Sequence, residues 1–190
     1  GEEWTTMGFS GSPVLEQPGT GLIEPQPAGE ESVEDRTNRL LAKYPPPPGS
    51  LDRGWNPWSH WGRDLYEAEK EWTFSDEERL ELARCMQSAR AAESGGNPYA
   101  IGDNGASVGL YMLHSEGVGH GFSVEQRYSV DLQYAKMYPR FVQAFAKYWS
   151  AGLRGRQLAV EVGREAERPV AAFAVRYGQK YDELKAQVDW

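Results

Sequence analysis

The chain has 190 residues, 39% of them hydrophobic, with a mean hydropathy of −0.67 and a formal net charge of −8. No run approaches the roughly 18 uninterrupted apolar residues of a membrane-spanning helix, which argues against membrane insertion. The acidic balance argues against nucleic acid as the main partner, because phosphate-binding surfaces carry excess Lys and Arg. A lone Cys85 allows no intrachain disulfide and no cysteine-built metal site, and it reads as a small buried hydrophobe on a helix.

Residues 1–72 hold 13 acidic and 6 basic side chains, whereas residues 73–190 hold 15 and 14, so the acidity belongs to the N-terminal part. Nine of the twelve prolines lie there as well, including the run Pro45–Pro48, which predicts a short polyproline II spacer. Only Ser32 to Lys43 has a helical pattern, and alone it is too short to be stable. The segment therefore reads as an extended acidic arm, residues 1–72, ahead of a domain at 73–190. Yet it carries five of the seven tryptophans, Trp4, Trp55, Trp58, Trp61 and Trp72. Polar tails are usually poor in aromatics, so these side chains call for a surface. Residues 1–50 are expected to dock on partner proteins in a multi-protein assembly, and residues 51–72 on the chain's own domain. Glu2 and Glu3 stand where a signal peptide has basic residues, and no apolar stretch follows. An exported form would need another route or a leader already removed.

From Phe74 the pattern turns helical. Ser75 with Glu78 forms a capping box, Leu80, Leu82, Ala83, Met86 and Ala89 recur at near-helical spacing, and Gly95-Gly96 marks the stop after Ala92 or Glu93. The glycine-rich stretch to His120 predicts an irregular or hairpin-bearing segment. Ser123 with Gln126 opens a second helical region, expected to be divided at Pro139 and to end before Ala151-Gly152. A third helix is predicted over 155–166 and a fourth from Pro169 as a first-turn proline. The fold class is mainly α, with a small irregular or β element.

Glu93 sits at the C-terminal end of the first of these helices. The helix dipole is negative there, which raises a carboxyl pKa, and a glycine-rich segment folding over the side chain raises it further. A carboxylic acid still protonated near neutral pH is what glycosidic cleavage needs, because the leaving oxygen departs poorly until protonated.

The surrounding residues extend this reading. Glu93-Ser94-Gly95-Gly96-Asn97-Pro98-Tyr99-Ala100, then Gly105-Ala106-Ser107-Val108-Gly109-Leu110, then Ala171–Gly178 with Tyr177, together resemble the soluble lytic transglycosylase and goose-type lysozyme family. Asp131 falls where that family often begins a helix. The resemblance covers roughly residues 76–180 and implies an α+β lysozyme-like fold acting on the β-1,4 bond between N-acetylmuramic acid and N-acetylglucosamine of a peptidoglycan glycan strand. It implies Glu93 as the single acid/base and Ser94 as orienting the carboxylate or the sugar. It also implies Gly109, Leu110, Tyr111 and Met112 along the sugar groove, and Tyr177 against Glu93 or substrate. Hydrolysis, unlike transglycosylation, needs a water held by a second group. Asp103 is the candidate second carboxylate, although Gly-Asp-Asn-Gly also reads as a turn. No cofactor is implied, and His114 and His120 lack a third ligand, so no metal is assigned.

Two positions depart from the family pattern. Met112 stands where a groove-lining Gln is common, and Gly178 where an Asn follows the tyrosine. Two functions stay open: an active wall-cutting enzyme, and a structural assembly protein whose lysozyme-like domain is weak or inactive. Both suit a bacteriophage virion or tail component, with a secreted or periplasmic enzyme as the alternative location.

Overall fold

A computed structural model of the chain describes residues 30–46 and 59–187. The chain divides into two units, Gly1–Asp35 and Arg36–Trp190. The expectations for Trp4, Trp55 and Trp58, for most of the arm and for the end of the proline run fall outside the described residues.

Among the described residues seven helices run in chain order, α1 (Val33–Lys43), α2 (His60–Glu69), α3 (Asp76–Ser94), α4 (Val124–Arg127), α5 (Val130–Ser150), α6 (Gly155–Glu167) and α7 (Val175–Gln187). Between α3 and α4 lie three two-residue strands, β1 (Ile101–Gly102), β2 (Ser107–Val108) and β3 (Leu113–His114). They form one antiparallel sheet in the order β1-β2-β3, with Ile101 opposite Val108 and Ser107 opposite His114. The mainly helical architecture with a small β element agrees with the sequence.

Helix α3 is the axis. Its start is the predicted capping box: Ser75 Oγ accepts from the Glu78 N–H at 3.1 Å, and Glu78 Oε1 accepts from the Ser75 N–H at 2.6 Å. Its stop is Gly95, left-handed at φ 65°, a conformation glycine adopts without a Cβ penalty. Between these ends every residue from Cys85 to Ala91 is buried, so the helix is enclosed on all sides by α2, α5, α6 and α7 rather than being amphipathic. Leu82, Met86, Phe141, Phe145, Leu158, Val162 and Tyr177 fill the core around it.

The packing does not break at residue 73. Trp61 is 1% exposed and donates from Nε1 to the Tyr44 carbonyl at 2.8 Å. Leu40, Trp61 and Leu65 form a second small core with Ala83 of α3. From Arg36 the described segments belong with α3 to one unit. The reason is the buried polar pair described next.

Asp64 of α2 and Arg90 of α3 pair in a fork, Nη1 to Oδ1 at 3.0 Å and Nη2 to Oδ2 at 2.7 Å, with side chains 0% and 1% exposed. Tyr134 of α5 donates to Asp64 Oδ1 at 2.5 Å, and Arg90 Nη1 also donates to the Tyr111 hydroxyl at 2.9 Å. A buried ion pair is tolerated only when its remaining hydrogen-bonding capacity is met, and here two tyrosines and Gln87 help to meet it.

Two further helix expectations are corrected. Pro139 lies inside α5, which runs unbroken for 21 residues. The missing N–H and ring clash cost a helix interior roughly 3 kcal/mol, but Met137, Phe141, Ala144 and Phe145 on both sides of the proline are buried and hold the two halves in line. Pro169 does not open α7: a 3₁₀ turn at Ala171–Phe173 intervenes and α7 starts at Val175. Arg168, left-handed at φ 53°, ends α6 and turns the chain outward just before the proline.

The short strands are held by side chains as much as by their ladder. Arg127 Nη1 donates to the Ala106 and Leu113 carbonyls, both at 2.8 Å. Gln133 accepts from the Tyr111 N–H at 2.9 Å and donates to the Val108 carbonyl at 3.0 Å. Gly109 makes room for that amide: at φ 91°, an added Cβ would lie 2.0 Å from Gln133 Nε2.

Arg90→Met leaves the Asp64 carboxylate buried and unpaired. It should lower the free energy of unfolding in urea by roughly 3–5 kcal/mol. Asp131→Ala, which removes the exposed carboxylate paired with Arg63 Nη1 at 2.7 Å, should cost no more than about 1 kcal/mol. Equal losses in the two variants would contradict a central role for the buried pair.

Candidate active site

A groove of about 740 Å³ opens on the described residues, within the range of small-molecule sites. Its walls come from four places in the chain: the end of α3, the sheet segment, the middle of α5, and the connection from α6 to α7. Glu93, Asp103, Met112, His114, Arg140 and Glu167 are among the polar or functional side chains on it.

Glu93 is the second-last residue of α3 and only partly exposed. Tyr177, fully buried on α7, donates its hydroxyl to Glu93 Oε2. The tyrosine is placed by a close helix contact. Gly163 of α6 faces its ring, and a Cβ there would lie 2.4 Å from Tyr177 Cδ2. Gly178 has the same effect one residue on, since an added Cβ would lie 2.6 Å from Val160 Cγ2. A side chain at 178 would press into α6, since Val160 and Arg156 fill the space beside it.

Burial raises the Glu93 carboxyl from its ordinary 4.5 to about 7; the Tyr177 hydrogen bond opposes this by favouring the carboxylate, and the charge of Asp103 adds to it. The Arg90 guanidinium, one turn earlier on the same helix, is committed to Asp64 and the tyrosine hydroxyls. Up to about pH 7 a large share of the Glu93 carboxyls therefore hold a proton that can be delivered to an oxygen lying in the groove.

The other residues singled out from the sequence fall into two groups. Asp103, Tyr111 and Met112 line the groove with Glu93. Asp103 is exposed at φ 51° in a 3₁₀ turn and accepts from Ser107 Oγ at 2.5 Å, so it is both a turn residue and a groove residue. Met112 has φ 53° and packs its methyl toward Gly102. Ser94, Gly109 and Leu110 have structural surroundings. Ser94 Oγ donates to the Arg90 carbonyl and accepts from the Gly96 N–H, both at 3.2 Å, closing the helix end rather than orienting Glu93. Gly109 lies beneath Gln133, and Leu110 is 0% exposed in the core. Among the described residues no group of three or more His, Cys, Asp or Glu is arranged to hold a metal ion. His114 Nδ1 accepts from the Glu116 N–H at 3.0 Å.

Sequence reasoning missed Glu167 and Arg140. Glu167 is the last residue of α6, on the wall opposite the sheet, and its Oε2 is enclosed without a hydrogen-bond partner. Burial and the nearby Glu93 push its carboxyl well above the usual range, against the pull of Arg140. Arg140 Nε donates to the Ala166 carbonyl at 2.7 Å, closing the end of α6. The one sequence signal was a second helix ending in Glu, before Arg168-Pro169.

No family model, no curated protein and no solved structure matches this chain.

Glu93 also gives the fold a pH dependence of known sign. Its folded-state pKa of about 7 lies above the ordinary 4.5. The contribution it makes when protonated is complete below 4.5, declines as the unfolded chain ionises, and is gone above about 7. Glu93→Gln should therefore raise the unfolding free energy at pH 8 by on the order of 2–3 kcal/mol and change it little at pH 4. Thermal unfolding at the two pH values checks this; a Glu93→Gln protein no more stable at pH 8 than the parent would contradict the burial of an uncompensated carboxyl.

Proposed function

We propose that the chain is a lysozyme-like, peptidoglycan-cleaving enzyme related to the soluble lytic transglycosylases and goose-type lysozymes, with Glu93 as its acid/base. The observation that carries the reading is a carboxyl at a helix end, on the wall of an open groove, kept protonated to about pH 7 by burial and held by Tyr177. The proton passes from Glu93 to the glycosidic oxygen as the bond from that oxygen to C1 of N-acetylmuramic acid breaks. In transglycosylation the C6 hydroxyl oxygen of the same sugar attacks C1 and gives its proton to the Glu93 carboxylate, which closes an anhydro ring and restores the acid. In hydrolysis a water does both, and Asp103 is the exposed carboxylate available to hold it.

A second reading keeps the fold as a module of an assembly with little turnover. Met112 favours it: the groove wall carries a thioether where the resembling family has an amide. The loss of one hydrogen bond of about 1–3 kcal/mol weakens substrate binding roughly 10- to 100-fold. In either reading the N-terminal segment tethers the chain to other structural proteins, in a phage virion or tail rather than as a free secreted or periplasmic enzyme.

Purified peptidoglycan digested with the chain, followed by mass analysis of the muropeptides, tests the first reading. Anhydro-muramyl ends identify transglycosylation and reducing ends hydrolysis. Glu93→Gln should lower the rate by at least ~10²- to 10⁴-fold, and the parent rate should fall as pH rises through about 7. Activity intact in Glu93→Gln would rule the assignment out, and an inert parent chain would favour the second reading. For the tether, a chain lacking residues 1–29 should keep the Tm of the full chain and fail to co-sediment with particles; normal co-sedimentation would refute it.

A further inference from the structure

We propose that Glu167 is a second substrate-contacting carboxyl of the same groove, using its carboxyl to hydrogen-bond an acetamido or hydroxyl group of the bound sugar and so fix the scissile bond beside Glu93. The proposal rests on the glycan-cleaving reading above and names a residue that reading does not require.

Three observations carry it. First, Glu167 Oε2 is enclosed by protein and has no hydrogen-bond partner. An unpaired buried polar atom costs roughly 1–3 kcal/mol, and such atoms are concentrated where a ligand completes the set. Second, Glu167 lines the groove together with Glu93, so its side chain borders the ligand's space. Third, the Arg140 guanidinium near it is engaged at the end of α6, where Nε donates to the Ala166 carbonyl at 2.7 Å. Around the carboxyl lie Glu93, Tyr177 and Arg140, and the next residue, Arg168, ends α6 in the left-handed region and lines the groove with it.

The protonation state follows the same geometry. Burial pushes the Glu167 carboxyl well above the ordinary range, which favours its protonated form, with one O–H donor and one carbonyl acceptor. That pair matches the C=O and N–H of an acetamido group. It does not suit a base that takes a proton from water, so Glu167 is a positioning contact and the choice between hydrolysis and transglycosylation lies with other groups.

The experiment uses the full chain carrying Glu93→Gln, so that ligand is not consumed, and measures calorimetric binding of a soluble oligomer of β-1,4-linked N-acetylglucosamine. Adding Glu167→Leu, which keeps the bulk and removes both polar atoms, should weaken binding at least tenfold while leaving Tm unchanged or higher. Adding Glu167→Gln, which keeps a donor and an acceptor, should bind within about threefold of the parent. Binding equal to the parent in Glu167→Leu would overturn the role of Glu167 and leave the glycan-cleaving reading standing. A fall in Tm in Glu167→Leu and Glu167→Gln alike would assign Glu167 to the fold and overturn the proposal. Absence of oligomer binding with Glu167 intact, joined to inert peptidoglycan digestion by the unaltered chain, would remove the glycan reading itself and this proposal with it.

Discussion

The guanidinium of Arg90 joins more of the molecule than any other described side chain. Through Asp64 it holds α2, through Tyr134 it holds α5, and through Tyr111 it holds the connection between β2 and β3, all from the middle of the enclosed helix α3. None of these partners is adjacent in sequence, and the pair with Asp64 is nearly free of solvent. Bringing two charges out of water costs several kcal/mol each, so the arrangement stands only while every partner is in place. That condition fixes the register of four elements around one point. The groove is a consequence, because the same Tyr111 that accepts from Arg90 forms part of its wall.

One turn along the same helix the charge relation reverses. Arg90 is turned toward Asp64, so Glu93 has burial, a tyrosine hydroxyl and a like-charged neighbour in place of a cation. A guanidinium beside Glu93 would stabilise the carboxylate and remove the proton near neutral pH. The fold thus separates two tasks on one helix: the compensated charge organises structure, and the uncompensated carboxyl is available for chemistry. The stability lost by burying Glu93 is a few kcal/mol at most, which a core built on Phe141, Phe145, Leu158, Val162 and Tyr177 can bear.

What the sequence revealed followed from local physics. The limits of α3 were legible because Ser75, Glu78 and Gly95 act within one turn of themselves, and Glu93 was legible from its place at that helix end. Features set by distant partners were not. Residues 51–72 were expected to dock on the chain's own domain, but neither helix α2 within them nor the pairing of its Asp64 with Arg90, 26 residues away, was visible. Pro139 signalled a break that buried neighbours override. Gly109 resembled a groove residue and instead makes room for Gln133, and Ser94 closes a helix. Glu167 carried no motif at all; only the meeting of α6 with the end of α3 places it on the groove.

The account depends on the Glu93 carboxyl staying protonated at neutral pH in the folded chain. A carbon-13 NMR titration of that carboxyl, assigned by its loss in Glu93→Gln, reads this directly. The account predicts a midpoint near the value of about 7 set by burial. A midpoint at the ordinary 4.5 would mean that the carboxyl is solvated and already ionised when a substrate arrives, and would contradict its assignment as the acid.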